Sequence, residues 1–299
     1  MDLATPHTPQ SIDIAQSIGQ SRGYWGTVWM RLCRDPVTLV FGIVLLSIIV
    51  LAIFAPLIAP QDPYKANIVR RLKEIGYPGH LLGTDQTGRD MLSRLIYGGR
   101  LSLFMGVLPV INALAIGGFL GIVAGYLGGR TNTAIMRTMD VFYAFPSVLL
   151  AIAISGALGA GIGNAILSLT VVFIPPIARF AETITTQVRT LDYVEAARAS
   201  GASSLRIIRV HVLSNVLGAI FVYATSLISV SIILASGLSF LGLGTKPPEP
   251  EWGLMLNELR QAIYSTPYVA ALPGVMIFMT SMSFNLLSDG LRSAMDLKS

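Results

Sequence analysis

The chain has 299 residues, of which 53% are hydrophobic and only 12% are charged, and its mean hydropathy is +0.66. Soluble domains carry about twice that share of charged residues, so the composition excludes an ordinary soluble globular protein and predicts an integral membrane protein. The formal net charge is +5, but Lys and Arg are spread over many segments rather than along one face. This distribution argues against nucleic acid as a partner and favours contact with anionic lipid headgroups.

Long uncharged runs set the number of membrane crossings, because a helix needs roughly 20 apolar residues to span the hydrocarbon. The first run predicts a transmembrane helix over residues 37–59, after an N-terminal tail over residues 1–36. The charge-free stretch 101–129 supplies the second span. Residues 141–178 are too long for one crossing, and the glycine-rich segment 156–164 marks a turn near their middle, so they supply two spans.

Two further runs complete the bundle: residues 210–245 supply the fifth span and residues 261–288 the sixth. We therefore expect an all-α membrane protein, a six-span helical bundle with both termini on one side. The rest of the domain map is an outer loop with an interfacial helix (60–100), a five-helix core (101–290) with an inner loop (184–212), and a C-terminal tail (291–299).

The charges near the spans leave the orientation almost undecided. Cytoplasmic loops carry an excess of Lys and Arg, yet with the N-terminus inside, twelve of the 21 basic residues lie on the inner side and nine on the outer side. A cleaved signal peptide is disfavoured, because the leader before the first apolar run is long and Arg31 and Arg34 directly precede that run. The first helix is expected to stay, with Met1–Gln20 as a loose tail.

Catalytic chemistry and an internal energy source are both difficult to place on this chain. The sequence has no Gly-Lys dipeptide and so no P-loop to bind ATP phosphates. The single Cys33 excludes an internal disulfide and a cysteine metal cluster. Asp140, Glu182 and Asp289 lie at span ends rather than at membrane depth, which disfavours proton- or sodium-coupled transport. We expect an external energy source, and no cofactor or metal on this chain.

An intramembrane serine protease is the enzyme alternative, because Gly237-Leu238-Ser239 places a serine in the fifth span. A nucleophilic serine needs a base within hydrogen-bond reach, and none of the three histidines lies inside a span. Only His80, in the outer loop, is placed to approach that serine. Small residues in membrane helices more often serve close packing, so we expect no catalytic residues.

The second span carries a glycine stripe. Gly117, Gly121 and Gly125 repeat at four-residue intervals and so lie on one face of a helix. Such small residues allow a neighbouring helix to approach closely. The stripe predicts tight helix packing, a feature that many membrane proteins share.

The segment before the second span predicts an amphipathic helix over Thr87–Arg100, lying along the outer membrane interface. Thr87 and Asp90 have the spacing of a capping box, which would fix the helix start. The apolar face predicted to lie in the interface is formed by Met91, Leu92, Leu95 and Ile96. An ordinary soluble loop helix is the alternative.

The loop after the fourth span has the pattern of a helix, a glycine break and a second helix. Asp192 is expected to cap the first helix, with Glu195 reaching back to it, and Gly201 suits the left-handed position that ends a helix. Ser203 or Ser204 can begin the second helix. Taken alone, a surface helical hairpin accounts for this pattern.

Several motifs resemble a known family. Glu195-Ala196-Ala197 followed by Gly201 is similar to the coupling-loop signature of permeases from binding-protein-dependent ATP-binding-cassette (ABC) importers. Further segments resemble the C-type permease subunits of the dipeptide and oligopeptide importers: Gly83-Thr84-Asp85, Gly88-Arg89-Asp90, residues 93–100, Pro247-Pro248, Trp252-Gly253, Phe284-Asn285 and residues 289–292. The resemblance extends from about Arg31 to the C-terminus.

Three positions depart from the family pattern. Ser214 stands where the family usually has proline, Ser288 stands near a usual glycine, and Lys246 stands near a usual glutamine. Ser214 removes a rigid helix start after the coupling loop, and Lys246 adds a charge to an outer loop. These changes leave the importer resemblance intact and the substrate subgroup open.

The resemblance implies the fold of a type I ABC importer permease. This chain would work beside a second homologous permease subunit, two cytoplasmic ATPase subunits that bind ATP and Mg, and an extracytoplasmic substrate-binding protein. The same resemblance implies a multi-pass protein of the bacterial inner membrane with both termini in the cytoplasm and the loops 60–100 and 241–267 outside. Peptides are the expected substrate, with nickel chelates, glutathione, sugars or another small solute as alternatives.

The resemblance also assigns the inner loop to energy coupling. It implies an ATPase-coupling loop that contains Glu195, Ala196, Ala197, Arg198 and Gly201.

The outer loop before the sixth span is a second candidate contact. Lys246, Pro247, Pro248 and Trp252 are expected to touch the binding protein or gate the outer mouth, because prolines stiffen the segment and an exposed indole is an effective contact anchor. An interfacial membrane anchor is the alternative role for Trp252.

Overall fold

The computed structural model describes residues 24–295, apart from the side chains of Tyr24, Trp25, Thr27 and Trp29. All the regular elements in this range are helices, and no strand forms there. The predicted loose tail Met1–Gln20 and the end of the predicted C-terminal tail, residues 296–299, lie outside the described residues.

Twelve α-helices make up the described chain. They are α1 (Tyr24–Arg34), α2 (Pro36–Ile53), α3 (Ala55–Ile58), α4 (Met91–Leu127), α5 (Gly129–Tyr143), α6 (Ser147–Leu158), α7 (Ile162–Arg189), α8 (Asp192–Ala199), α9 (Ser204–Ile207), α10 (Leu213–Phe240), α11 (Trp252–Leu259) and α12 (Pro267–Met295). Short 3-10 turns occur at Ile68–Arg70 and Ala262–Tyr264, and a π-helical turn at Ile208–Val212.

The all-α membrane bundle predicted from the sequence is confirmed, with five or six candidate spans. Five helical stretches are long and apolar enough to cross a membrane: α2, α4, α7, α12 and the run 204–240 that ends in α10. The pair α5 and α6, which meet at a bend of 85°, supplies the predicted sixth span if the two helices are counted as one crossing. The turn expected within residues 156–164 is present, because α6 ends at Leu158 and α7 begins at Ile162.

The bundle has two ends, which are named here by their helices. The hairpin end carries α8 and α9. The end of α12 lies there beside the starts of α2 and α10, because a Cβ atom at Gly290 would meet the Thr38 side chain and one at Gly218 would meet the Met295 side chain. The α11 end carries α11 and residues 60–90, where the Arg100 guanidinium of α4 donates to the Ala52 and Ile53 carbonyls of α2. Each span therefore runs between these two ends.

The N-terminal boundary differs from the prediction. Residues 24–34 of the expected tail form the helix α1, which packs against α12 and α2. Asp35 separates the two helices and caps α2, because its carboxylate accepts hydrogen bonds from the Val37 and Thr38 N–H groups at 3.2 and 3.3 Å. At the other end, α2 stops at Ile53 and the short helix α3 follows.

The predicted interfacial helix is wrong. Residues 91–100 form the first turns of α4, which continues without a break to Leu127. Asp90, rather than Thr87, is the N-cap, and its carboxylate accepts from the Ser93 N–H at 2.8 Å. The core helices therefore begin ten residues earlier than expected.

Burial explains this difference. Met91 and Leu95 are buried in an apolar cluster with Trp252 and Met255 of α11. Two of the four residues on the predicted apolar face, Met91 and Leu95, thus face α11 rather than lipid, whereas Leu92 and Ile96 are half-buried. The first turns of α4 therefore belong to the folded core.

The glycine stripe of α4 lies against α7. A Cβ atom built at Gly117, Gly121 or Gly125 would come within 3.0 Å of a backbone carbonyl oxygen of α7. Real Cβ atoms do not approach so closely, so only glycine lets these two backbones pack at this separation.

We predict that Gly121→Ala lowers the thermal stability of the protein, because the added methyl group has to push α7 away at a cost of about 1–3 kcal/mol. Gly118→Ala is the matched control, since Gly118 is buried on the same helix but its Cβ would meet only a Leu114 methyl group at 3.8 Å. The measurement is the melting temperature of each purified variant in detergent. Equal melting temperatures for the two variants would contradict the prediction.

Candidate functional site

The hairpin, defined here as residues 192–207, connects α7 to α10. Its first helix, α8, ends at Ala199, and Gly201, two residues further on, has a left-handed φ of +80°. The Gly201 N–H donates to the Arg198 carbonyl at 3.0 Å and the Ala202 N–H donates to the Ala197 carbonyl at 3.1 Å. These two bonds form a Schellman cap, so the predicted left-handed role of Gly201 is confirmed.

The start of the second helix was also predicted correctly. The Ser203 hydroxyl oxygen accepts from the Arg206 N–H at 3.4 Å, which makes Ser203 the N-cap of α9. The inner loop is shorter than the predicted 184–212, because α7 extends to Arg189.

The predicted capping box at the start of α8 is wrong. Leu191 occupies the N-cap position without a side-chain cap, and Asp192 is already the first helical residue. In the described part of the chain, the Glu195 carboxylate has neither a hydrogen bond nor an ion pair. Both acids still lie in the first turn of α8, where the helix dipole stabilises negative charge.

One face of the hairpin is anchored and the other is exposed. Val194 and Ile207 are fully buried in the main core of the bundle. On the opposite side Glu195, Ala196 and Arg198 are exposed. The hairpin therefore combines a firm attachment with a free polar surface.

Exposed apolar side chains border this polar surface. Leu205 is 66% exposed, and Leu191 and Tyr193 are 44% and 42% exposed. Apolar groups beside charged ones are typical of surfaces that bind another protein.

The hairpin is joined to α10 without an interruption in the helical path. The π-helical turn Ile208–Val212 leads directly into α10, and Val212 is fully buried. The Tyr193 and His211 rings lie 6.1 Å apart, which brings α8 beside this turn. Ser214 stands where the family usually has proline, and its hydroxyl donates to the Val210 carbonyl at 2.6 Å. The helix therefore continues past Ser214.

The hairpin end of α7 is fastened to α4. The Arg189 guanidinium donates to the Gly125 and Tyr126 carbonyls at 3.3 and 3.1 Å, at the C-terminus of α4.

The Glu182 carboxylate accepts from the Asn132 amide at 2.6 Å. Asp140 pairs with the Arg179 guanidinium. Both acids thus have polar partners, although Asp140 lies inside the α5 and α6 pair rather than at its end.

The α11 end holds a buried ion network that joins four segments. The Arg89 guanidinium contacts Asp85 at 2.6 Å and Glu258 at 2.9 Å, and the Arg94 guanidinium contacts the same two carboxylates at 3.4 and 3.0 Å. The side chains of both arginines are at most 5% exposed. The Arg94 guanidinium also donates to the Pro248 carbonyl at 3.2 Å. This network ties residues 85–89, the start of α4 and the loop before α11 to α11 itself.

The network was not recognised from the sequence. In the sequence, Asp85, Arg89 and Arg94 stand only within family-like motifs, and no motif includes Glu258. The i,i+4 spacing of Asp85 and Arg89 was the available signal, but the partner Glu258 lies more than 150 residues along the chain.

The expectation that the Trp252 indole is exposed, as a contact for the binding protein or as a membrane anchor, is wrong, whereas the outer-gate role stays a prediction. Its side chain is fully buried, and its indole N–H donates to the Leu95 carbonyl at 2.9 Å. A Cβ atom at Gly98 would lie 3.0 Å from the indole ring, and one at Gly99 would lie 3.3 Å from it. These glycines make room for the ring, which packs α11 onto α4. Lys246, Pro247 and Pro248 are exposed.

Glu251 fixes the start of α11 beside this tryptophan. Its carboxylate accepts from the Gly253 and Leu254 N–H groups, both at 2.8 Å, and from the Ser102 hydroxyl of α4 at 3.1 Å. Burial raises the pKa of Glu251, and these hydrogen bonds oppose that rise.

The geometry offers no support for a serine protease. Ser239 is fully buried, and its hydroxyl oxygen accepts from the Thr245 N–H at 3.3 Å. The His80 ring pairs with Asp90 at 2.9 Å, and among the described residues it has no hydrogen bond to Ser239.

Known proteins share the family features of this chain. The family described as "Binding-protein-dependent transport system inner membrane component" matches residues 117–298, and the "N-terminal TM domain of oligopeptide transport permease C" matches residues 23–74. A glutathione transport system permease protein GsiD from Pectobacterium atrosepticum is 41% identical over 274 residues, covering 92% of this chain and 91% of the relative. The GsiD of Escherichia coli O6:K15:H31 is 42% identical over 279 residues, covering 93% and 92%.

A solved structure shares the fold. One chain of the MetNI methionine ABC transporter, in an inward facing crystal form, superposes with a TM-score of 0.57 over 68% of this chain and 97% of that chain. The sequence identity is 20%, so this match supports the architecture alone.

We predict that Glu258→Ala destabilises the protein by about 3–5 kcal/mol, because it leaves two buried arginines facing a single carboxylate. Glu74→Ala is the matched control, since Glu74 is exposed at the same end and its side chain has no partner in the described chain. Thermal unfolding of the two purified variants measures the difference. An unchanged melting temperature for Glu258→Ala would show that the ion network is not a structural fastening.

Proposed function

Because the chain belongs to the binding-protein-dependent transport system inner membrane components, in their dipeptide and oligopeptide group, we propose that its hairpin couples transport to ATP hydrolysis on partner subunits. The chain is a multi-pass inner-membrane permease of an ABC importer, and its relatives are transport permeases rather than enzymes. An importer of this kind works with ATPase subunits and a binding protein.

The observation that carries the proposal is the division of the hairpin into an anchored face and a free face. Val194 and Ile207 hold it in the core, while Glu195 and Arg198 are exposed beside exposed apolar side chains. A force applied to the free face is transmitted through the buried anchors instead of bending a loose loop. The π-helical turn then passes it to α10.

We place the ATP chemistry on two cytoplasmic ATPase subunits, which would bind ATP and Mg, because this sequence has no P-loop. The hairpin end then lies in the cytoplasm together with both termini, and the α11 end lies outside, where the binding protein delivers the substrate. A second homologous permease subunit completes the translocation path.

Peptides are the substrate class that we propose. The match to oligopeptide transport permease C points to peptides, and the relatives named above are glutathione permeases. Glutathione is itself a tripeptide, so both indications agree on a short peptide and make glutathione the first compound to test.

We predict that Gly201→Val abolishes uptake and uncouples ATP hydrolysis, because a β-branched residue at φ +80° costs about 1–3 kcal/mol and would distort the Schellman cap. Gly201→Ala should hurt less. Gly79→Val is the matched control: it places the same strain at φ +84° in the loop at the α11 end, and no atom lies within 4 Å of its Cβ position. Uptake by vesicles containing the full complex is the measurement. If Gly201→Val transports as well as Gly79→Val, the hairpin is not the coupling element.

We predict that Glu195→Gln reduces substrate-stimulated ATP hydrolysis and uptake while the complex still assembles. The carboxylate has no partner within the described chain, so its charge is free to pair with a basic group of an ATPase subunit. Asp192→Asn removes the same charge from the same helical turn and should leave coupling intact. Co-purification of the ATPase subunits verifies assembly. Normal activity of Glu195→Gln would remove Glu195 from the coupling contact.

A further inference from the structure

The α11 end contains a cavity that the proposed coupling does not use. It has a volume of about 400 Å³ and lies between the end of α10, the loop before α11 and α11 itself. Two cations, Lys246 and Arg260, and three amides, Gln86, Asn257 and Gln261, contribute to its wall. Its volume lies within the range of sites that bind small molecules.

The cavity wall carries uncompensated positive charge. Glu258 is the one acid among the described residues that line it, and its carboxylate is already shared by Arg89 and Arg94 at 2.9 and 3.0 Å. With Asp85, these four groups form a network of two positive and two negative charges. Lys246 and Arg260 therefore add two positive charges that no lining carboxylate offsets.

These two cations are free to receive a ligand. Both residues are exposed, and neither has an ion pair or a side-chain hydrogen bond within the described chain. A guanidinium binds a carboxylate through two parallel hydrogen bonds, and an ammonium binds it as a point charge. The side chains of Gln86 and Gln261 are exposed beside them and can donate further hydrogen bonds.

We propose that this cavity is a receiving site for a small anionic peptide, with one carboxylate of the solute paired to Lys246 and a second paired to Arg260. The inference rests on the proposed importer function and adds the charge class of its substrate. A concave site of this volume suits a small solute, whereas a docked protein requires a broad contact of about 800 Å² on each partner. The opposite end of the bundle, with the hairpin, is not involved.

The test uses the full importer complex in vesicles, with Cys33→Ser and Gln86→Cys introduced into this chain. The thiol introduced in the cavity is labelled with a methanethiosulfonate reagent, either anionic or cationic, and the label is quantified by mass spectrometry of the permease. The uncompensated charge predicts labelling about tenfold faster with the anionic reagent. Adding Lys246→Gln and Arg260→Gln should abolish that preference, whereas Lys65→Gln with Arg71→Gln, two exposed cations outside the cavity lining, should preserve it.

Ligand binding is then measured as protection from labelling. S-methylglutathione, which has two carboxylates and no reactive thiol, should slow the labelling, and the protection should be lost in the Lys246→Gln, Arg260→Gln variant. Its diethyl ester, which lacks both carboxylates, should not protect. Equal protection by acid and ester, or none by either, would overturn the site. Protection seen only when the binding protein is added would overturn it in favour of a protein-docking surface.

Uptake measured on the same vesicles separates this inference from the proposed function. If the parent complex imports peptides and couples ATP hydrolysis but shows no protection, the receiving site alone is wrong. If the parent complex imports no peptide, the proposed function is wrong whatever the labelling shows.

Discussion

The close contact between α4 and α7 is the constraint on which the rest of the structure depends. Its glycine stripe brings the two backbones together, since a methyl group at Gly121 would collide with α7. With its middle fixed in this way, α4 reaches both ends of the bundle. At one end its last carbonyls receive the Arg189 guanidinium just before the hairpin, and at the other its first turns carry Arg94 and the ion network. Displacing one helix therefore affects both candidate sites.

α10 connects the two sites by a different route. It begins at the π-helical turn that follows the hairpin and ends at Phe240, shortly before the loop with Lys246 that borders the cavity. That loop is not free to move independently, because Arg94 holds the Pro248 carbonyl and Trp252 packs α11 onto α4. A tilt of α10 driven from the hairpin would reach the cavity through a stiff connection, which is what alternating access of an importer requires.

Much of this architecture could be predicted from the sequence, because length, hydropathy and glycine chemistry act locally. The number of spans and the left-handed Gly201 follow from such features, as does the N-cap at Ser203. The predictions fail where a partner that is distant in the sequence determines whether a side chain is buried. The apolar face at Met91 and Leu95 fits lipid or protein equally well, and only α11, more than 150 residues away, settles it. The burial of Trp252 and the ion pairs of Glu258 could not be predicted for the same reason. Burial by a helix that is remote in the sequence leaves no periodic pattern near the residue that is buried.

The central claim, that the free face of the hairpin meets an ATPase subunit, is tested most directly by crosslinking. A photoreactive residue would replace Ala196, which is exposed on α8 beside Glu195. In the assembled complex during turnover, the account predicts a crosslink to an ATPase subunit, with a yield that differs between nucleotide-free and ATP-bound states. A crosslink to the binding protein or only to lipid would place the hairpin away from the ATPases and contradict the account.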